Sequence, residues 1–460
     1  MSVKPYTLFT GDNLPILRGM DTESVDLIYL DPPFNKNKDF KAPIGSEAAG
    51  AAFKDWWTLD DIKEEEVGEI AKENQALSDL IQSIGSVNGK SHEAYLIVMA
   101  IRLLEMKRIL KPTGSIYLHC DPTMSHSLKL VMDAIFGRSS FRNEIVWQRA
   151  TSTQKGSQHK NKKWGNNADI LLFFAKSPKA PLNPLRKLTE DEIQKKFNKT
   201  DENGRRYYDD SAHIWSTPGM GDRPNLCYEW RGFRNPHPSG WRLSKERLEE
   251  EYQKGNIVIT DEGKLERRKY EEDYKGATFG NVWTNINPAQ GEQRTGYPTQ
   301  KPLALLERII LASSNRGDIV LDPFCGCATT PIAAMRIARE WIGIDLSEKA
   351  VELVKSRMKK EGLLGYKFYH RTDVPTRSDK VKRSRDIKTI RYGEQRGNCK
   401  MCGYHFPYNN MTVDHITPRA KGGTDDDDNL QLLCGRCNSI KGGNRTMAEA
   451  RARYREMEGN

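Results

Sequence analysis

The apolar positions of the chain fall into two kinds of run. Short continuous blocks at Val25–Leu30, Ser115–His119, Glu144–Gln148, Ile170–Phe174, Ile319–Leu321 and Trp341–Ile344 predict buried strands. Between them lie stretches with helical spacing. These are Leu14, Ile16 and Leu17; Ser91 to Leu110, stopped by Lys111-Pro112-Thr113-Gly114; Leu128 to Phe136; and Leu303, Leu305, Leu306, Ile309 and Ile310 behind Pro302. A further helix is predicted from the small-residue turn after Leu321 to about Arg339. Strands alternating with helices predict an α/β fold around a mostly parallel sheet.

Three stretches break this rhythm. Residues 35–90 are polar, with Trp56-Trp57 and Glu64-Glu65-Glu66, and predict a partly helical insertion able to act as a lid. From about Arg149 to Gly296 the periodicity fades and rings interleave with cations: Trp164, Arg205-Arg206-Tyr207-Tyr208, Trp215, Trp230-Arg231, Phe233-Arg234, Trp241-Arg242. Stacking rings and phosphate-seeking cations suit a segment that reads DNA, although a structural insertion would show the same pattern. Thr376 to Arg396 is rich in Lys and Arg and predicts a basic linker, riding on phosphates or simply solvated.

Composition narrows the classes. The 460 residues suffice for about three domains, and the net charge of +10 favours a polyanionic partner, nucleic acid before a membrane. No signal-like leader and no run of 18 apolar residues is present, so a cytoplasmic protein without a membrane span is expected. In a reducing compartment the two C-x-x-C pairs, which hold half of the eight cysteines, mean metal rather than disulfides.

The chemistry concentrates at two strand ends. Asp31-Pro32-Pro33-Phe34 follows the Val25–Leu30 strand, and two prolines force a stiff turn there. The turn carries a carboxylate, a carbonyl and a ring beyond the strand's carboxyl end, where open α/β sheets bind ligands. Such a set grips a flat group carrying an amine, and an extruded nucleobase is one; a solvated Asp on a plain turn is the bland alternative. Asp322-Pro323-Phe324-Cys325-Gly326-Cys327-Ala328-Thr329-Thr330 follows a second strand, with Asp345 about twenty positions on. That layout holds an adenosine ribose. A single glycine and an Asp in the turn suit S-adenosylmethionine better than a dinucleotide pyrophosphate. Asp12 either caps the short helix after it or faces the ligand.

Asp31-Pro32-Pro33-Phe34, Lys301-Pro302, Asp322-Pro323-Phe324-Cys325-Gly326 and Trp341-Ile342-Gly343-Ile344-Asp345 resemble the motifs of β-group DNA amino-methyltransferases, in that family's order, over roughly residues 5 to 360. The resemblance implies a Rossmann-like S-adenosylmethionine-dependent fold. Residues 1–150 would be the catalytic half, 151–296 a target-recognition region and 297–375 the cofactor-binding half. Asp31, Pro32, Pro33 and Phe34 would be catalytic; Asp12, Lys301, Asp322, Phe324, Gly326, Thr329 and Asp345 would hold the cofactor. Aspartate at position 31 points to the N6 amine of adenine in double-stranded DNA, with cytosine N4 as the alternative. Ala328 stands where the family usually has glycine, and Cys327 replaces a common serine or glycine, which implies a weaker cofactor grip. A regulator on an inactive methyltransferase fold and an RNA methyltransferase are the rival readings.

Residues 397–460 form a separate module. Cys399-x-x-Cys402 and Cys434-x-x-Cys437, about thirty residues apart, bring four thiolates to one structural zinc. The residues between them resemble the HNH nucleases, with a ββα-metal fold. By that resemblance His415 would activate water, Asp414 and Asn438 would ligate Mg2+ or another divalent cation, and Asn429 would pin the loop that carries His415. Asn438 replaces a common histidine, so a DNA clamp without cleavage stays open. Both activities on one chain suggest restriction and modification, and a phage-type or mobile-element protein with independent modules fits the sequence equally well; a homodimer is a further expectation.

Overall fold

The computed structural model describes residues 2–36, 38–150, 164–183, 188–235, 237–274, 276, 280–363, 365, 367–379 and 386–458. Residues 151–163 of the expected target-recognition region and 380–385 of the expected linker lie outside them.

Nine strands make one sheet. In chain order they are β1 (Thr7–Thr10), β2 (Val25–Leu30), β3 (Leu110–Cys120), β4 (Phe141–Gln148), β5 (Ala168–Ala175), β6 (Val282–Trp283), β7 (Ile319–Asp322), β8 (Glu340–Asp345) and β9 (Tyr369–Arg371). Their spatial order is β6-β4-β5-β3-β2-β7-β8-β1-β9. Every pairing is parallel except those of β5, which runs against both β3 and β4. The mostly parallel α/β sheet is therefore as the hydrophobic pattern predicts.

The sheet is buried on both faces, as a parallel sheet must be. Side chains alternate along β2: Ile28 and Leu30 join the core beneath one face, Leu27 and Tyr29 the core beneath the other. Helices α1 (Asn13–Gly19), α4 (Lys90–Ile109) and α5 (Ser125–Phe136) pack on the first face. Helices α6 (Leu303–Ser313), α7 (Thr329–Arg336) and α8 (Lys349–Lys360) pack on the second. Because β2 and β7 are parallel neighbours, with Leu27 opposite Val320 and Ile28 opposite Leu321, the chain leaves both strands at the same edge. That register puts the Asp31 turn beside the Asp322 turn.

The insertion at 35–90 folds as a hairpin, Lys38–Lys41 with Ala52–Asp55, followed by α2 (Glu64–Glu73) and α3 (Gln75–Asn88). The linker expected at 376–396 is corrected: Ile387–Gln395 is a helix, α9, and Tyr392 on it is fully buried. It crosses α2 at glycines from each side. A Cβ on Gly68 would overlap the Thr389 carbonyl, and one on Gly393 would overlap the Glu64 carbonyl. Lys72 pairs with Asp386 at 2.8 Å, Arg396 with the buried Glu93 at 2.7 Å, and Gln75 accepts from the Tyr408 N–H at 2.7 Å. The dense Lys and Arg sequence masked this helix, because its cations sit on the flanks of a narrow apolar face.

The C-terminal module is an antiparallel hairpin, Met411–His415 with Leu430–Cys434, followed by helices α10 (Gly435–Lys441) and α11 (Met447–Glu458). Among the described residues no helix is long and apolar enough to cross a membrane.

Pro184–Phe279 is a second compact unit. It has a four-stranded antiparallel sheet, ordered Ile257–Ile259, Leu265–Tyr270, Arg206–Asp209, Lys199–Thr200, and a core containing Ile214, Trp230, Trp241 and Leu248. The 151–296 boundaries are therefore too wide, since β5 and β6 belong to the main sheet. Several rings expected on a DNA-reading face are core instead: Trp241 is stacked between Trp215 and Tyr228, at 4.4 and 5.4 Å. Arg206 and Arg231 are paired with Glu271 and Glu249. Interleaved aromatics and charges were packing a small domain.

Candidate active sites

The two strand-end turns share one cavity of about 440 Å3. Asp31, Pro32, Pro33 and Phe34 line it, and so do Asp12, Lys301, Asp322, Phe324, Gly326, Thr329 and Asp345. Its size and mixed lining suit a cofactor-sized ligand.

At the first turn, Asp31 Oδ2 is 2.6 Å from Lys301 Nζ. Among the described residues Asp31 Oδ1 is buried with no hydrogen-bond partner. A buried carboxylate oxygen is costly to leave unpaired, so this atom is an acceptor awaiting a donor. Phe34, 6% exposed, stands beside it under the ammonium of Lys301, 5.5 Å from the ring centre. Lys301 thus bonds the Asp31 turn directly, a partnership that the sequence spacing of 270 residues did not suggest.

At the second turn, the Asp322 carboxylate is used inside its own loop. It accepts from the Thr330 hydroxyl at 2.6 Å and from the Phe324 N–H at 3.0 Å. Burial pushes its pKa up to about 7 despite those bonds. Asp345 accepts from the Gly326 N–H at 2.7 Å and the Ser347 N–H at 2.8 Å, and burial lifts it to about 6. Gly326 has φ +51°, and a Cβ there would lie 3.1 Å from the Tyr297 ring, so only glycine keeps this cradle open. Ala328 takes the left-handed conformation too, with φ 63°, a backbone state that favours glycine. Thr329 receives the Arg357 guanidinium at 2.9 Å. Asp12 caps α1 through the Leu14 N–H at 3.1 Å and pairs with Arg102 at 2.8 Å. It does so while still facing the cavity.

The insertion completes the wall. Phe40, Phe53, Trp57 and Asp61 line the cavity opposite the sheet edge, and Phe53 stacks on Tyr297 at 6.2 Å and 19°. Of these four, Trp57 belongs to the Trp56-Trp57 pair that marks the insertion in the sequence; Phe40, Phe53 and Asp61 carry no such signal.

In the C-terminal module, the ligand sulfurs of Cys399, Cys402, Cys434 and Cys437 lie within 4.8 Å of one another. Backbone N–H groups of Cys434 and Cys437 point at the sulfurs of Cys399 and Cys434, at 3.3 and 3.5 Å. His415 ends the first strand of the hairpin, and its Nε2 is 2.7 Å from Asp425. Asp414 holds the buried Lys441 ammonium at 3.1 Å and the Gln431 amide at 2.9 Å. Each of its oxygens keeps a further lone pair. Asn429 bonds the Thr417 N–H at 2.8 Å and the Thr424 carbonyl at 2.7 Å, tying both ends of the loop after His415. Asn438 is half-buried on α10. Asp425 was missed because it opens a run of four aspartates that reads as solvated charge.

Residues 25–356 match a family model described as DNA methylase. The chain belongs to this DNA methylase family. Residues 399–444 match a second model, described as HNH endonuclease. The methylase portion is similar to the Type II methyltransferase M.EcaI of Enterobacter cloacae, at 34% identity over 57% of this chain and 57% of that protein. It is similar to the Mod subunit of the Type III restriction-modification enzyme StyLTI of Salmonella typhimurium, at 30% identity over 73% of this chain and 50% of that protein. The DNA adenine methyltransferase YhdJ of Escherichia coli is 25% identical over 76% of this chain and 82% of its own length. This methylase chain spans about half the length of the first two relatives.

Proposed function

We propose that the shared cavity moves a methyl group from S-adenosylmethionine to the N6 amine of adenine in double-stranded DNA. The observation that carries this is Asp31, which lines the same cavity as the Gly326 cradle and Asp345 and whose buried Oδ1 has no hydrogen-bond partner among the described residues. Relatives named as Type II and Type III modification enzymes and as an adenine methyltransferase support the substrate class.

The cofactor fits the donor set. Asp345, Gly326 and Thr329 would hold it, and Asp12 with Phe324 would bound it. When bound, it supplies an electrophilic methyl carried on a sulfonium. The protein's own residues act on the base. The Asp31 carboxylate and the Pro32 carbonyl, to which no hydrogen bond is made among the described residues, would accept the two N–H bonds of the amine. That draws the nitrogen lone pair out of the ring and aims it, so orientation and electrostatics carry the rate. The Phe34 ring would stack on the extruded base, worth about 1–3 kcal/mol against a flipping cost of a few kcal/mol. Single-molecule sequencing of DNA from cells expressing the protein tests the reading. N6-methyladenine at a defined site is the expected result, and N4-methylcytosine there would replace adenine by cytosine.

For the C-terminal module we propose an HNH nuclease built on a structural zinc. A zinc with four sulfur ligands at about 2.3 Å needs the sulfurs about 3.8 Å apart, and the four cysteine sulfurs all lie within 4.8 Å of one another. Cys434→Ser, or a strong chelator, is expected to unfold this hairpin, because the metal supplies folding energy to so small a core. Loss of hydrogen-exchange protection across Leu430–Cys434, with zinc content falling from one ion per chain to none, checks it. Asp414 and Asn438 offer hard oxygen donors for Mg2+, which would neutralise charge at the scissile phosphate. His415, with Nε2–H directed at Asp425, keeps Nδ1 as the base for water. We read the pairing of the two modules on one chain as restriction and modification together, in the cytoplasm, with a homodimer as a further expectation.

A further inference from the structure

A line of polar side chains runs under the Asp31 turn, from β2 through β3 and β5 to the residue that follows β4. Tyr29 on β2 bonds His119 Nδ1 on β3 at 2.9 Å. His119 Nε2 is 3.3 Å from Asp169 on β5. Asp169 is ion-paired at 2.8 Å with Arg149, one residue past β4. His119 is fully buried and Asp169 is 5% exposed. Tyr29 lies two residues before Asp31, and the Phe34 ring rests on the imidazole at 6.2 Å and 24°.

A valine or phenylalanine at position 119 would fill the same space without needing partners. A buried imidazole needs two, and the chain supplies both from different strands. The partners also fix the tautomer. Burial and the nearby Asp31 charge push the Tyr29 hydroxyl well above its ordinary pKa, so it stays protonated and donates to Nδ1. The imidazole then donates its Nε2–H to Asp169. Burial alone would raise the Asp169 carboxyl, but the His119 bond and the Lys301 and Arg149 charges outweigh it and hold the group at about 2. The far acceptor is thus a fixed anion.

We propose that His119 is a positioning residue for methyl transfer: clamped between Tyr29 and Asp169, it sets the height and tilt of the Phe34 ring on which the target base is stacked. This rests on the methyltransferase reading above. Of the relay only Tyr29 lines the cavity; His119 and Asp169 do not. The relay fixes the platform that presents the amine to Asp31, and displacements of an ångström at such a platform cost large factors in rate.

The test is steady-state methyl transfer with tritiated S-adenosylmethionine, on DNA carrying the site found by sequencing, together with melting temperatures. Tyr29→Phe removes one bond and leaves every ring in place. His119→Phe keeps a ring under Phe34 and removes both bonds. His119→Gln keeps polar ends for both partners and removes the ring. The expected result is a fall in kcat of tenfold or more for Tyr29→Phe and His119→Phe, with KM for S-adenosylmethionine within twofold of wild type. His119→Gln is expected to retain more kcat than His119→Phe. If both Phe variants turn over within twofold of wild type, or if His119→Phe outperforms His119→Gln, the relay plays no positioning part. A fall in His119→Phe that tracks its melting temperature, with Tyr29→Phe normal, also overturns it. A wild-type protein without methyl transfer removes the underlying reading as well; an active wild type with unimpaired variants removes this inference alone.

Discussion

Asp31→Ala is expected to reduce methyl transfer by on the order of 10^3-fold or more, while S-adenosylmethionine still binds. In the proposed reaction the carboxylate is the acceptor that makes an aromatic amine nucleophilic, and its Oδ1 has no hydrogen-bond partner among the described residues. The cofactor cradle around Gly326 and Asp345 is built from different strands and stays intact. The substitution also leaves the buried Lys301 ammonium without its 2.6 Å partner, which carries a stability cost. Asp31→Asn separates the two effects, because it keeps the shape and one acceptor oxygen while removing the charge. Calorimetric titration of the cofactor beside a tritiated-methyl assay reads both quantities. Near-normal turnover of Asp31→Ala would remove Asp31 from the mechanism.

His415→Ala is expected to stop Mg2+-dependent DNA cutting, by 10^2-fold or more, with DNA affinity unchanged. The imidazole is oriented by Asp425 at one nitrogen, and the loop that follows it is tied by Asn429. Neither contact depends on DNA. Cutting of supercoiled plasmid and a gel-shift titration measured in parallel decide the matter. Cutting at the wild-type rate would leave His415 without its proposed role, and a wild type that binds but never cuts would turn the module into a clamp.

The methylase architecture was legible because its signals are local. A strand that ends in Asp31-Pro32-Pro33 must turn where it does, and the Ile319–Leu321 strand announces its neighbour by the same apolar run. The four cysteines declare themselves by spacing. What stayed hidden depends on long-range pairing. His119 and Asp169 are single polar letters inside apolar strands, and only the antiparallel placement of β5 beside β3 brings them together. Lys301 reaches Asp31 across 270 residues. The tryptophans of the second unit look the same in a sequence whether they stack on a base or on one another, and Trp241 stacks on Trp215 and Tyr228. Helix α9 failed for a related reason: its apolar face is too narrow to stand out among lysines and arginines, and its partner α2 lies more than 300 residues earlier.

The glycine crossing of α2 and α9 bears on how such a chain can be taken apart. At Gly68 and Gly393 the two backbones approach until no methyl group fits between them. The same α2 follows directly on Trp57 and Asp61 in the wall of the shared cavity. A genetic deletion from α9 onward would uncover the faces of α2 and α3 that this crossing and the Gln75–Tyr408 bond cover. Neither half can be lent to another protein without carrying a piece of the other with it.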